Sequence, residues 1–254
     1  MRIKCKAELW KNLVEVCSPL LGELQFNISE DGLMLSQLDE SHTALTILEL
    51  SAEYFEELDA GDEGYIRFAV TDMKKALKRI KADDTIILSF PDEFGNLEIV
   101  VEGKRRRAFR TKMLNKEKPW ERRPVVVPEA RLKVCTEGLL MAVEDATFVG
   151  KKDFGYFEME TTATGLAVRA REESGLRSVE NVLLPGWDIM AMEAKAGVKA
   201  SYSMAYFNPI VRSAYKLAGI IQLEYGTDMP IKLDCQIPYK GKLIYWLAPR
   251  VEKG

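Results

Sequence analysis

Histidine is almost missing from this chain. Among 254 residues there is one, His42. A Ser-His-Asp or Cys-His nucleophile, or a polyhistidine metal site, asks for more than that. Cysteine is scarce as well: Cys5, Cys17, Cys135 and Cys235 are the four present, far apart and with no Cys-x-x-Cys pair. That spacing argues against a zinc site or a disulfide framework, and a reduced intracellular compartment is expected. A glycine-rich phosphate loop is also lacking, since Gly61, Gly64 and Gly241 stand as isolated turn glycines. No apolar run approaches the roughly 18 residues needed to span a bilayer. Met1–Ala7 is charged and runs into an amphipathic segment, which does not read as a signal peptide. An enzyme is therefore not expected, and no catalytic residue, cofactor or metal is assigned. The rival enzyme reading is a Mg²⁺-dependent nuclease using Asp83, Asp84, Asp92 and Glu93, which stand at turns and at the starts of strands.

What the chain does have is a hydrophobic content of 47%, enough for a packed core, and a net charge of only −3 that hides local contrast. Acidic Glu53–Glu63 alternates with basic Lys74–Lys81 and Lys104–Arg107. Local fields of this kind decide what binds. The most informative feature is an internal repeat. In the first half, helices are predicted at Ala7–Cys17 and Asp72–Ile80. Strands are predicted at Glu23–Ile28, Gly32–Leu38, Ala44–Leu50, Thr85–Phe90, Asn96–Val101 and Ala108–Met113. The second half repeats the order, with helices at Glu137–Phe148 and within Tyr206–Ala218. Its strands are Phe154–Thr161, Gly165–Arg171, Arg177–Leu184, Ile221–Tyr225, Ile231–Gln236 and Lys242–Leu247. The turn glycines Gly32 and Gly165 match at 165 − 32 = 133. Between the halves, Lys116–Pro128 carries Pro119, Pro124 and Pro128 and reads as an extended linker. The expected architecture is α+β: domains at 1–115 and 129–254 joined by the connector 116–128. Each domain has two helices packed on one face of an antiparallel sheet.

The second helix is unusually basic. At about 100° per residue, Lys74, Lys78 and Lys81 share a stripe, with Lys75 and Arg79 beside it. Met73, Ala76, Leu77 and Ile80 fall opposite. A solvated helix face is the plain alternative. A phosphate-binding surface is favoured by the lack of i,i+4 acidic partners within the helix. The stripe also carries no aromatics, which points away from single-strand stacking and toward duplex backbone. Lys11 on the first helix is flanked by Glu8 and Glu15, and Glu137–Phe148 is acidic, with Lys151 and Lys152 just after it. Asn208 as N-cap with Pro209 at the first helical position would start the last helix there; it offers Arg212 and Lys216.

Four passages resemble the PCNA family of archaeal and eukaryotic DNA sliding clamps. They are Leu243-Ile-Tyr-Trp-Leu-Ala-Pro-Arg-Val-Glu252, Asp31–Gly32 with Leu38-Asp-Glu-Ser-His-Thr-Ala-Leu45, Asp72-Met-Lys-Lys-Ala-Leu-Lys-Arg-Ile80 with Asp83-Asp-Thr-Ile-Ile-Leu88, and Tyr225-Gly-Thr-Asp-Met-Pro-Ile231. The connector, with Trp120 and Arg122–Arg123, does not match closely. The resemblance implies the DNA-clamp fold, a ring of three subunits, and a processivity factor that encircles duplex DNA. It places DNA contact at Lys11, Lys75, Lys78 and Arg212, to which the stripe adds Lys74, Arg79, Lys81 and Lys216. Sliding asks for phosphate attraction without base readout. It implies a partner-peptide pocket at Leu38, His42, Leu45, Val125, Val127, Pro230, Trp246, Ala248, Pro249 and Val251, used by the replicative polymerase, clamp loader, flap endonuclease and ligase. Subunits, as copies or paralogues, would pair Arg107–Met113 with Gly175–Leu183, through Arg107, Phe109, Arg110 and Lys112 on one side and Gly175, Arg177, Val179 and Glu180 on the other. Arg106, with Glu172 and Glu173, would add opposite charge. A specialised or checkpoint-type clamp, or one subunit of a heterotrimer, shares this reading. The resemblance implies a cytoplasmic, nucleoid-associated protein if archaeal and a nuclear one if eukaryotic.

Overall fold

Every helix begins where a strand ends, with no turn between them, among the residues that the computed structural model describes: 1–62, 64–149, 155–172, 174–237 and 241–250. The chain divides into two units. The first is built from Met1–Glu40 and Thr46–Glu121, the second from Ser41–Leu45, Arg122–Ile237 and the closing strand from Leu243.

The first unit runs β1 (Arg2–Lys6), α1 (Ala7–Cys17), β2 (Glu23–Ser29), β3 (Gly32–Leu38) and β4 (Ala44–Ser51, whose first two residues group with the second unit). It continues through β5 (Glu57–Asp59), β6 (Tyr65–Ala69), α2 (Val70–Leu77), β7 (Thr85–Ser89), β8 (Leu97–Glu102) and β9 (Arg107–Thr111). The second runs β10 (Ala130–Cys135), α3 (Thr136–Ala146), β11 (Tyr156–Thr161), β12 (Leu166–Arg171), β13 (Ser178–Leu183) and β14 (Ile189–Ala194). It ends with β15 (Lys199–Ser203), α4 (Met204–Tyr215), β16 (Ile220–Tyr225), β17 (Ile231–Ile237) and β18 (Gly241–Leu247). Strand orders are β5-β1-β7-β8-β9 and β4-β3-β2-β6 in the first unit, and β14-β10-β16-β17-β18 and β13-β12-β11-β15 in the second. Adjacent strands pair antiparallel, as β1 with β7, β2 with β6, β10 with β16 and β11 with β15.

The repeat is deeper than the sequence shows, because one junction occurs four times. Lys6, Ala69, Cys135 and Ser203 precede the helices, and none of their side chains caps the first turn. The first helical N–H instead donates to the carbonyl just before a neighbouring strand. Ala7 donates to Asp84, Val70 to Gly22, Thr136 to Gly219 and Met204 to Gly155, each at 2.9 Å. A tertiary contact thus satisfies one of the free N–H donors in each helix's first turn. The spacing agrees, since α2 and α4 start 204 − 70 = 134 residues apart. The two glycines matched by sequence are equivalent in space as well. A Cβ on Gly32 would lie 1.9 Å from the Leu50 carbonyl oxygen, and one on Gly165 2.1 Å from that of Leu183. Only glycine allows either approach.

Aromatic clusters bind helix to sheet in each unit. Trp10 on α1 meets Phe26 on β2 edge-on at 5.4 Å, and Phe26 lies 6.1 Å from Phe68 on β6. In the second unit Phe207 on α4 meets Phe157 on β11 at 4.9 Å and Tyr202 on β15 at 5.9 Å. Edge-to-face pairs add about 0.5–1.5 kcal/mol to burial.

Several expectations need correction. Two sheets rather than one underlie the helices: α1 packs on β1 and β7 and, through Trp10, on β2, α2 packs on β6, α3 on β10, β12 and β13, and α4 on β15. Six strands, β1, β5, β6, β10, β14 and β15, stand beyond those expected from the sequence. The second helix spans Val70–Leu77 rather than Asp72–Ile80, so Lys78, Arg79 and Lys81 lie beyond it and Lys81 is off the helical stripe. Asn208 is not an N-cap. The last helix starts at Met204, and Pro209 lies inside it, where it withholds one backbone donor.

Candidate functional site

The basic surface of the first unit is built by α2 and the turn after it. Val70, Met73, Ala76 and Leu77 face the core, which turns Lys74, Lys75, Lys78 and Arg79 to solvent. Lys75 is not free of acid, because Asp72 one turn earlier pairs with it at 3.1 Å. Among the described residues Lys74, Lys78, Arg79 and Lys81 make no ion pair. On α1, Lys11 lies 3.8 Å from Glu15. In the second unit Arg212 on α4 is held by Glu144 of α3 at 2.5 Å, and Lys216 is exposed just after α4. The acidic helix thus faces the one basic residue that α4 carries.

The connector is in two parts. Up to Trp120 it is fastened to the first unit by three polar side chains. Gln25 is 3% exposed. Its amide donates to the Glu117 carbonyl at 2.8 Å and its amide oxygen accepts the Glu117 N–H at 2.8 Å. Ser36 does the same one strand over. Its hydroxyl donates to the Trp120 carbonyl at 2.6 Å, and the Trp120 N–H donates to its backbone carbonyl at 3.0 Å. Arg67 donates to the Asn115 carbonyl at 2.7 Å and pairs with Glu117 and Glu23, each at 2.6 Å. From Glu121 on, the backbone has no helix or strand before β10, and Val125 and Val127 are 98% and 80% exposed. Sequence reasoning missed Gln25, Ser36 and Arg67. Gln25 and Glu117 stand 92 residues apart, and no spacing pattern links them.

The other expected pocket residues fall as follows. In the second unit His42 is exposed with a left-handed backbone (φ 57°), and Leu45 is 2% exposed, so it can serve only as floor. Pro230, Trp246, Ala248 and Pro249 are half-buried. The tail is pinned, with the Ala248 N–H on the Thr43 carbonyl at 2.9 Å and the Arg250 N–H on the Ser201 carbonyl at 2.8 Å. The Arg250 guanidinium also lies 3.7 Å from the Tyr156 ring centroid. Leu38, in the first unit, is half-buried. Val251, Lys151, Lys152 and Glu173 lie outside the described residues.

The two strands expected to join subunits are both sheet edges: β9 pairs only with β8 and β13 only with β12 among the described residues. Their charges, however, are engaged within the chain. Arg107 pairs with Asp84 at 3.1 Å, and Arg110 with Asp92 at 3.2 Å and Glu98 at 3.1 Å. Glu180 pairs with Arg169 at 2.6 Å and Arg177 with Glu172 at 2.7 Å. The hydrogen bond from Arg177 holds the Glu172 carboxyl below its ordinary range. Phe109 and Val179 are half-buried, and Lys112 and Gly175 are exposed. Two of the four carboxylates of the nuclease reading, Asp84 and Asp92, have structural partners. Asp84 accepts from the Lys81 N–H at 3.0 Å, and the backbone N–H of Asn96 chiefly holds Asp92 below the usual carboxylate range.

The family described as "Proliferating cell nuclear antigen, N-terminal domain" matches residues 2–118. "DNA polymerase sliding clamp 1" of Pyrobaculum aerophilum is 32% identical over 246 residues, which cover 94% of each chain. The chain belongs to the PCNA-type sliding clamp family. Solved structures carry the clamp fold with it. A PCNA from Thermococcus kodakaraensis superposes with a TM-score of 0.85 at 23% identity, over 98% of this chain and 99% of that one. A PCNA2–PCNA3 complex from Sulfolobus tokodaii gives 0.83 at 19% identity, over 99% and 100%. This sliding clamp subunit therefore has both halves of the fold, each with two helices and antiparallel sheets.

Proposed function

We propose that the clamp closes as a ring of three subunits around duplex DNA and tethers polymerase, clamp loader, flap endonuclease and ligase by a short peptide motif. Residues 1–115 and 129–254 are its domains and 116–128 the connector. β9 of one subunit, with Arg107, Phe109, Arg110 and Lys112, pairs with β13 of the next, with Gly175, Arg177, Val179 and Glu180. Lys11, Lys74, Lys75, Lys78, Arg79, Lys81, Arg212 and Lys216 meet phosphates. The peptide lies against Val125 and Val127, with His42, Trp246, Ala248 and Pro249. The observation that carries the reading is the pair of open strand edges, five and six residues long, one in each unit. An open edge is a template for another chain, and a head-to-tail contact that uses two different edges generates a ring when its rotation closes.

The test is topological. Loaded on a nicked circular duplex, the clamp should survive moderate salt and be lost once the circle is cut. Equal retention on circular and open-ended DNA would overturn the reading. Native mass of the chain alone should be that of a trimer; a monomer that becomes a trimer only with a paralogue points to a mixed ring.

A further inference from the structure

Two basic stretches that are distant in sequence meet at one corner of the first unit. Lys78, Arg79 and Lys81 follow α2; Lys104, Arg105 and Arg106 form the turn between β8 and β9. All six are exposed, and among the described residues none makes an ion pair. Strand register brings them together: Thr85 at the start of β7 pairs with Glu102 at the end of β8. Asp84 therefore stands opposite Gly103. It is 6% exposed, accepts the Lys81 N–H at 3.0 Å and pairs with Arg107 at 3.1 Å. A Cβ on Gly103 would lie 1.9 Å from its carboxylate oxygen. Asp84 thus clasps both turns, and its charge is directed inward to Arg107. Outside it, only Asp83 and Glu102 oppose six cations in these stretches.

We propose that Lys104, Arg105 and Arg106 form a second phosphate-contact site for duplex nucleic acid, continuous with Lys78, Arg79 and Lys81. The inference rests on the reading that the ring encloses duplex. Apart from Ala82, neither stretch offers an exposed apolar or aromatic side chain. A protein-docking patch has an apolar, charge-depleted centre, and single-strand binding uses stacking aromatics. What remains is cationic surface on long stems, which suits a regular line of phosphates. The two arginines add forked donors that match phosphate geometry. The turn also precedes β9, whose first residue, Arg107, is committed to Asp84.

The experiment compares the intact wild-type clamp, a Lys104→Ala/Arg105→Ala/Arg106→Ala variant and Arg105→Lys. Each is titrated with short duplexes of AT-rich and GC-rich sequence across a salt series, with native mass measured alongside. The triple variant should stay trimeric and bind more weakly at low salt. Its log–log salt slope should fall by about 0.9 for each phosphate that the turn no longer neutralises, equally on both duplexes. Arg105→Lys should keep the wild-type slope. An unchanged slope in an intact triple-variant trimer overturns the inference. So does loss of the trimer, which would assign the turn to subunit contact, and so does loss of poly-glutamate binding with the duplex slope kept, which would assign it to an acidic protein. Wild-type retention on closed circles separates the two readings. If the wild type is retained and the slope does not move, only this inference falls. If the wild type is not retained, the ring itself is wrong.

Discussion

Cys5, Cys17 and Cys235 are sealed in the cores of their units, each 0% exposed. Burial pushes the Cys5 thiol up to about 12, with the Glu56 charge adding to it. Burial likewise pushes Cys235 up to about 12 and raises Cys17. The thiolate is the reactive form, so these side chains act as small hydrophobes. Only Cys135 is half-buried. At pH 8 a thiol reagent should label at most one cysteine of the folded clamp and all four after denaturation. Labelling of Cys5 or Cys17 ahead of Cys135 would show that the native core opens locally. The same shift has a consequence in alkali. The native state keeps protons that the unfolded chain releases from an ordinary value of 9.0, so between pH 9 and about 12 unfolding releases protons. Stability from these groups is complete below pH 9 and declines as pH rises through that window. Thermal melts taken upward from pH 9 should show it, and a flat Tm over the window would contradict it.

Among the elements, the connector is the one whose mechanics depend on distant residues. Gln25 and Ser36 imitate a strand partner, each giving one donor and one acceptor to a single connector residue. Gln25→Ala should leave the Glu117 N–H and carbonyl without those bonds, a loss of about 1–3 kcal/mol where such groups stay buried. Amide exchange at Glu117 and Trp120 should speed up while α1 and α2 stay protected. Exchange unchanged at Glu117 would mean that the clasp does not hold the connector. The sequence could not disclose this, because a buried glutamine looks like any strand residue until its partner is known. The helices were legible because their apolar period is strong: Met73, Ala76 and Leu77 read correctly as the inner face of α2. Two of their starts were not: α2 begins at Val70 and α4 at Met204, where β6 and β15 end without a turn residue or capping side chain, so nothing local marks the boundary. Pro209 misled for the same reason: proline suits a first turn, and the contact that fixes the true start, Met204 N–H to the Gly155 carbonyl, is tertiary. Of the candidate site, the α2 cations read directly from spacing, whereas the pairing of Lys75 with Asp72 depends on rotamer and that of Arg212 with Glu144 on the packing of α4 beside α3.

For the whole molecule, the question is what force would close the proposed ring. Opposite charge on β9 and β13 is the obvious answer from sequence, and the geometry argues against it. Arg107 and Arg110 already satisfy Asp84, Asp92 and Glu98, and Glu180 already satisfies Arg169. Recruiting them across an interface would exchange one ion pair for another, with little net gain. An open edge offers instead its unpaired backbone groups and the apolar side chains along it. Val182 on β13 is 43% exposed, with Leu176 and Leu184 at its flanks 87% and 45% exposed. Backbone ladders and apolar burial are not screened by salt, whereas exposed charges are screened beyond roughly 3 Å at about 1 M. The trimer mass should therefore hold from low salt to about 1 M, and Arg110→Gln should leave the dissociation concentration within about threefold, the scale of a 0.6 kcal/mol pair. Val182→Asp, which sets an unpaired charge in the same edge, should shift the clamp toward monomer. A trimer that falls apart as salt rises while tolerating Val182→Asp would return the interface to charge. It would then follow that the intrachain pairs on β9 and β13 reorganise when subunits meet.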